Sequence, residues 1–243
     1  MTTTTPGPAS VPALAGAPDD RAELADPPDR TREVLDFGPL RIAFDDRLLR
    51  PRPWTAAQSA WAAELLDDAP AGPVLELCAG AGHIGLLAVL GTERRLVCVD
   101  VNPSACAYAM ENAAAAGLTG RVEAREGRMD EVLDEHERFA LVIADPPWVR
   151  RADVGRYPED PRLAIDGGED GLDLAWTCVD VARDHLLPGG SLLLQLGTVE
   201  QVDALRDRLR RAADGTDPGD LDAGELTEVR WCERGVLVRL RRP

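Results

Sequence analysis

The sequence predicts an α/β chain with a Rossmann-like, doubly wound and mostly parallel seven-stranded sheet, finished by a C-terminal antiparallel hairpin. Three observations predict it. From Val74 onward, short apolar runs alternate with helical stretches, the pattern of right-handed βαβ units. The first run leads into Gly80-x-Gly82-x-x-Gly85, a glycine turn that opens a helix. The last two runs, Leu226–Cys232 and Val236–Leu240, are separated by a turn around Arg234-Gly235 with no helix between them.

Each element has a local reason. Residues 1–32 are rich in Thr, Pro, Ala and Asp and read as a disordered tail. Residues 33–54 form an N-terminal hairpin and linker: two apolar segments between Val34 and Phe44 flank Gly38-Pro39, and the prolines of Arg50-Pro51-Arg52-Pro53-Trp54-Thr55 resist helix. Residues 55–243 form the main domain. Thr55 is placed to cap a helix running to about Asp68. Strands follow at Val74–Leu77, Leu96–Val99, Val122–Ala124, Ala140–Ala144 and Ser191–Leu196. Helices are expected at Ile84–Leu90, at Pro103–Ala116 with proline in its first turn, near Glu131, at Leu172–Leu187 and at Val199–Ala213. Pro188-Gly189-Gly190 is expected to stop one helix and start the fifth strand, and a long loop spans the residues up to Gly171.

Composition narrows the chemistry. Hydrophobic residues make up 44% of the 243, and aromatics only 4%, so aliphatic side chains fill the core. Every basic residue is arginine, which removes lysine bases and P-loop lysines from consideration. The net charge of −16 repels polyanions and favours a protein or small-molecule partner, with a local arginine patch still able to meet RNA. Five cysteines with no C-x-x-C pair point away from a disulfide framework or a metal site. No long apolar run or leader pattern is present, so the expectation is a cytoplasmic protein without a membrane contact.

Two motifs carry the functional reading. The first is Glu76-Leu77-Cys78-Ala79-Gly80-Ala81-Gly82, with Asp100 ending the next strand. A glycine turn with a carboxylate about 20 residues later fits a ligand that contains a nucleoside. Glu76 at the strand tip would repel a pyrophosphate and suit a cation, such as the sulfonium or ammonium of S-adenosylmethionine. His83 has no second histidine nearby and is read as a packing or capping residue. The second motif is the buried run Phe139–Ala144 followed by Asp145-Pro146-Pro147-Trp148. If its strand neighbours the first across the switch point, Glu76 and Asp145 border one crevice. A planar nitrogen must localise its lone pair and lose a proton to attack a methyl group. Asp145 provides an acceptor for its N–H, Pro146 a rigidly aimed carbonyl, and Trp148 a flat face.

These residues bring a resemblance into view. Glu76–Gly82, Asp100-Val101-Asn102-Pro103, Glu111-Asn112-Ala113 and Asp145–Trp148 resemble class I S-adenosylmethionine methyltransferases of the Asn/Asp-Pro-Pro-aromatic group. Arg50–Thr55 and Asp160–Leu172 are similar to segments of the protein-glutamine N5-methyltransferases that modify release factors, and Pro188-Gly189-Gly190 also fits. The resemblance implies S-adenosylmethionine as cofactor, with Cys78, Ala79, Gly80, Ala81 and Gly82 lining its methionine end. Asp100 and Val101 then stand at the ribose, and Arg128 and Met129 flank the adenine. Asp145, Pro146, Pro147 and Trp148 become the catalytic set that receives the target nitrogen, with Asp145 also bordering the cofactor. Three features differ from that family: Asp-Pro-Pro-Trp stands for Asn-Pro-Pro-Tyr, Arg128 stands for an aspartate, and a tail with a hairpin stands where a helical substrate-docking domain is expected. The resemblance favours a protein or peptide glutamine amide as acceptor, ahead of a nucleobase or small-molecule amine, and these three differences count against that narrower assignment. An NAD(P)-dependent oxidoreductase and a noncatalytic binding module compete from other classes. Glu76 and Asp145–Trp148 argue against the first of these and the intact strand-four motif against the second.

Overall fold

The computed structural model describes residues 31–213 and 224–243. The disordered tail expected for residues 1–32 lies almost wholly outside the described residues. In chain order the elements are β1 (Glu33–Phe37), β2 (Leu40–Phe44), α1 (Ala56–Asp68), β3 (Val74–Leu77), α2 (His83–Val89), β4 (Leu96–Asp100), α3 (Pro103–Ala115) and β5 (Val122–Glu126). They continue as β6 (Phe139–Ala144), α4 (Arg162–Ile165), α5 (Asp173–His185), β7 (Leu186–Leu196), α6 (Val199–Ala213), β8 (Glu225–Trp231) and β9 (Val236–Arg241).

Seven strands form one sheet in the order β5-β4-β3-β6-β7-β9-β8, and β1 and β2 form a separate hairpin. β3 pairs in parallel with both β4 and β6, with Leu77 opposite Ala144. β9 runs antiparallel to β7 and to β8. The order reverses between β3 and β6, which opens a crevice beyond their carboxyl ends. Alternate side chains serve two apolar layers. Val74, Leu141 and Ile143 pack with Trp61, Ile84, Leu86 and Ala109 on one face. Leu75, Leu77, Val142 and Ala144 pack with Cys178, Val179 and Val202 on the other. The N-terminal hairpin adds Phe37, Ile42 and Phe44 to the first layer.

The structure corrects several local expectations. Thr55 does not cap α1 with its side chain; its hydroxyl donates to the Arg52 carbonyl at 2.8 Å, closing a 3-10 turn over Pro53–Thr55. No helix forms near Glu131, where the chain makes turns instead. α5 ends at His185, and Pro188-Gly189-Gly190 lies inside β7, at the register shift between Phe139 and Leu141 of its partner. Gly189, at φ +78, supplies the bend there. The long loop after β6 also contains a 3-10 turn (Arg151–Arg156) and α4.

Candidate functional site

β3, β4 and β6 converge on a cavity of about 510 Å³ beyond their carboxyl ends. Its floor is the glycine loop. Cys78 leaves β3 at φ +55, a left-handed conformation unusual for a residue with a Cβ. Gly80 follows at φ +52, and a Cβ built there meets nothing within 4 Å. The backbone is thus open to the cavity at the point where a ligand must come close. Asp100, at the end of β4, fixes this loop from the side. Its carboxylate accepts from the Gly80 amide at 2.8 Å and from the Asn102 amide at 2.9 Å. Burial raises its pKa, and its remaining lone pairs are available to a diol.

Asn112 of α3 locks the hairpin onto the same loop. Its side chain accepts from the Ala43 amide at 2.8 Å and donates to the carbonyls of Ala43 at 3.0 Å and Ala81 at 2.9 Å. Glu76 takes a different place from the one its sequence position suggests. Its side chain is turned into the protein, accepting from the Gly85 amide at 2.9 Å and the Cys98 thiol at 3.4 Å. It fastens the first turn of α2 to the sheet and is not on the cavity wall. Burial pushes its pKa up to about 7, so it is neutral for part of the time near neutrality. Glu76 therefore does not face a cationic ligand from the cavity wall, as its strand-tip position suggests; it acts on the cavity through the loop it holds. Ala81 and Gly82 are likewise behind the wall.

Beyond β6, the prolines 146 and 147 have no N–H, so the strand cannot extend its ladder and the chain turns away. Asp145 and Pro147 reach the cavity. The Asp145 carboxylate has no hydrogen-bond partner among the described residues, and burial pushes its pKa up to about 7. Pro146 and Trp148 are not on the wall. Trp148 stacks over Gly197, where a Cβ would stand 2.1 Å from its Cε3, and its carbonyl accepts from Gln201 Nε2 at 3.1 Å. Of the two residues assigned to an adenine, Met129 is buried and Arg128 is exposed and paired with Asp130 at 2.7 Å; both line the cavity. Val101 lines it as well.

Sequence reasoning did not foresee the upper wall. The linker residues Arg47–Arg52 and the segment from Arg162 to Asp173 close over the cavity. Arg52 pairs with Asp160 at 2.7 Å across 108 residues of sequence, so the two family-like segments touch. His83 is also on the wall, edge-on to Phe37 and 3.3 Å from the Thr55 hydroxyl. Burial lowers its pKa to about 4, so it stays neutral and serves packing. The donor set fits S-adenosylmethionine. An open glycine backbone and a carboxylate at the end of β4 suit its nucleoside and methionine parts, and the unpartnered carboxylate of Asp145 lines the same cavity. Among the described residues no group of three or more His, Cys, Asp or Glu is placed to hold a metal, and no helix is long and apolar enough to cross a membrane.

Comparison with known proteins agrees with this geometry. Residues 57–156 match the methyltransferase small domain family. The release factor glutamine methyltransferase of Deinococcus radiodurans is 36% identical over 167 residues, 67% of this chain and 59% of that protein. That of Clostridium acetobutylicum is 27% identical over 175 residues, 69% and 61%. The ribosomal protein uL3 glutamine methyltransferase of Bordetella pertussis is 31% identical over 202 residues, 77% and 63%. The chain thus spans about three fifths of the length of these curated relatives. Among solved structures, the catalytic domain of hMettl16 has a TM-score of 0.64 at 14% identity, covering 84% of this chain and 75% of that one. The ribosomal protein L11 methylase of Lactobacillus delbrueckii subsp. bulgaricus has 0.55 at 14%, covering 80% and 81%. At such identities these structures speak for the fold. Sheet order, glycine loop and family match point the same way: residues 57–156 match the methyltransferase small domain family within a Rossmann-like α/β fold.

Proposed function

We propose that the chain transfers a methyl group from S-adenosylmethionine to a planar nitrogen, the side-chain amide of a protein glutamine. The observation that carries this reading is Asp145: a cavity-facing carboxylate at the end of β6, without a protein partner among the described residues and with its pKa raised to about 7. When bound, S-adenosylmethionine supplies an electrophilic methyl group on a sulfonium. Gly80 and its neighbours Cys78 and Ala79 would hold its amino-acid end, with Asp100 and Val101 at the ribose and Arg128 and Met129 at the adenine.

Asp145 does two things in this scheme. Its ionised form accepts an N–H of the amide and draws the nitrogen lone pair out of conjugation. Its raised pKa then lets it take the proton that the nitrogen must lose after methylation, since a base works best with a pKa near the working pH. Pro146 holds the backbone carbonyl at the turn in a fixed direction for the second N–H. Trp148, anchored over Gly197, contributes to the acceptor side by fixing the course of the chain beyond the motif. The linker and the segment 160–173, joined by Arg52 and Asp160, keep water from the reacting atoms. We take residues 33–54 as an integral wall of the transfer unit formed by 55–243, and a protein in the same compartment as translation factors as its partner.

Asp145→Ala tests the assignment. The variant is expected to bind S-adenosylmethionine normally by calorimetry and to lose turnover by roughly 10²–10⁴-fold, the usual contribution of a positioned proton acceptor. Full turnover in that variant refutes the role given to Asp145.

A further inference from the structure

Arginines concentrate on the cavity wall of an acidic chain. The chain carries a net −16, yet the wall has six arginines against four aspartates. Four of those arginines have a carboxylate of their own: Arg47 with Asp45 at 2.6 Å, Arg50 with Glu33 at 2.6 Å, Arg52 with Asp160 at 2.7 Å and Arg128 with Asp130 at 2.7 Å. Arg151 and Arg162 share one. Asp166 Oδ2 accepts from Arg151 Nε at 3.2 Å and from Arg162 Nη2 at 3.1 Å and Nε at 3.3 Å.

This pair is held from behind. Asp166 is only 12% exposed, whereas the two arginine side chains are 60% and 57% exposed. The Asp166 Oδ1 accepts from the Gly168 amide at 3.0 Å, and the Arg151 amide donates to the Gly168 carbonyl at 2.7 Å. A β-bridge between Val149 and Asp166 ties the segment to the chain leaving Asp145–Trp148. Burial works against ionisation of Asp166, but the Gly168 amide and the two guanidiniums outweigh it and keep the carboxyl below its ordinary range. Both Nη atoms of Arg151 and Nη1 of Arg162 remain without a protein acceptor among the described residues. Two guanidiniums against one carboxylate leave this cluster with N–H donors to spare, although Asp173 lines the same wall.

We propose that Arg151 and Arg162 form a receptor for a carboxylate, supplied by an acidic side chain of the acceptor protein close to its target nitrogen. The proposal rests on the acceptor assigned above and adds its sequence context. A guanidinium presents planar, paired N–H donors that match a carboxylate. The exposure of both arginines places them where a docking chain arrives, not among the buried atoms around Cys78 and Asp100. A phosphate chain meets the repulsion of the whole −16 molecule along its length, while a short acidic segment has to reach only the two guanidiniums.

The test uses the full chain saturated with S-adenosylhomocysteine and two fluorescein-labelled peptides. Each contains one glutamine, flanked by Asp and Glu in one peptide and by Ser in the other. Fluorescence anisotropy is expected to show the acidic peptide bound roughly tenfold more tightly, the scale of a hydrogen bond between charged groups. R151Q with R162Q is expected to make the two peptides equal, leaving the Ser peptide and the calorimetric affinity for S-adenosylmethionine unchanged. R162Q alone is expected to give an intermediate preference, which keeps the test usable if the double variant melts early. Equal binding in the wild type, or a preference that survives the double variant, overturns the proposal. A loss of cofactor affinity in the double variant also overturns it, by assigning the pair to the carboxylate of the cofactor. So does an RNA oligonucleotide that outcompetes the acidic peptide at the same arginines. Replacing the peptide glutamine by alanine separates the two readings: the charge preference persists, whereas methyl transfer to the peptide depends on that glutamine.

Discussion

Asp145→Asn isolates the cost of keeping an unpartnered carboxyl at the cavity. The ordinary pKa of 3.8 rises to about 7 in the folded chain because burial penalises the charged form. A raised carboxyl pKa means that the folded state holds a proton the unfolded chain has released. Stability from this group is therefore fully present below about pH 4, falls as pH rises through the window between the two values, and is level above about pH 7. At about 1.4 kcal/mol per pH unit the cost reaches at most about 4 kcal/mol at pH 8, and about 2 kcal/mol at pH 5.5. An asparagine of the same shape has no such dependence. The difference in unfolding free energy between variant and wild type should thus grow by about 2 kcal/mol from pH 5.5 to pH 8, in favour of the variant. Glu76 and Asp100, whose pKa values are also raised, titrate in both proteins and largely cancel. Urea unfolding at the two pH values measures this double difference. A difference that stays constant with pH, or grows in the opposite direction, refutes the claim that Asp145 is held in a desolvated, unpaired state.

Two further substitutions address the loop and its support. Gly80→Val puts a β-branched side chain at φ +52 with its Cβ in open cavity space; it should leave a folded chain that gives no binding heat with S-adenosylmethionine, and normal binding would remove the cofactor from this loop. Asn112→Ala strips three buried hydrogen bonds between hairpin, α3 and glycine loop. It should lower the unfolding free energy by about 2–4 kcal/mol in denaturant titration, and an unchanged midpoint would mean that the hairpin does not depend on Asn112.

Much of the fold was legible because the signals were local. Pro103 after Asn102 marks the start of α3, and Asn102 indeed accepts from the Ser104 amide at 2.9 Å. The five apolar residues Ala140–Ala144 read as a buried strand, and every residue of β6 is buried. Expectations failed where a local signal had a tertiary competitor. The hydroxyl of Thr55 was drawn to the Arg52 carbonyl. The acidic residues around Glu131 resembled a helix start, but Asp130 and Glu131 pair with Arg128 across a turn. A Pro-Gly-Gly run usually ends an element, yet here β7 absorbs it as an irregularity.

The site was legible at the level of motifs and less so at the level of side-chain direction. Asp100 and Asp145 follow from strand ends alone. The inward turn of Glu76 does not: it requires knowing that the exposed-looking strand tip lies under the first turn of α2, where the Gly85 amide needs an acceptor. The position of Trp148 depends on Gly197, just past the end of β7 and 49 residues later in the sequence. Closure of the cavity by Arg52 and Asp160 joins residues with no shared periodicity. Each carries only an ordinary charge in the sequence, so their pairing becomes visible once the sheet order is known.

The most direct test of the account is the position of a transferred label. The full chain is incubated with recombinant release factor and S-adenosylmethionine carrying an isotopically labelled methyl group, and the digested products are sequenced by mass spectrometry. The account predicts the label on the side-chain nitrogen of a glutamine, and its absence when that glutamine is replaced by asparagine or when Asp145 is replaced by alanine. Label on oxygen, sulfur or carbon, or on a nucleobase in a mixed extract with none on protein, would contradict it.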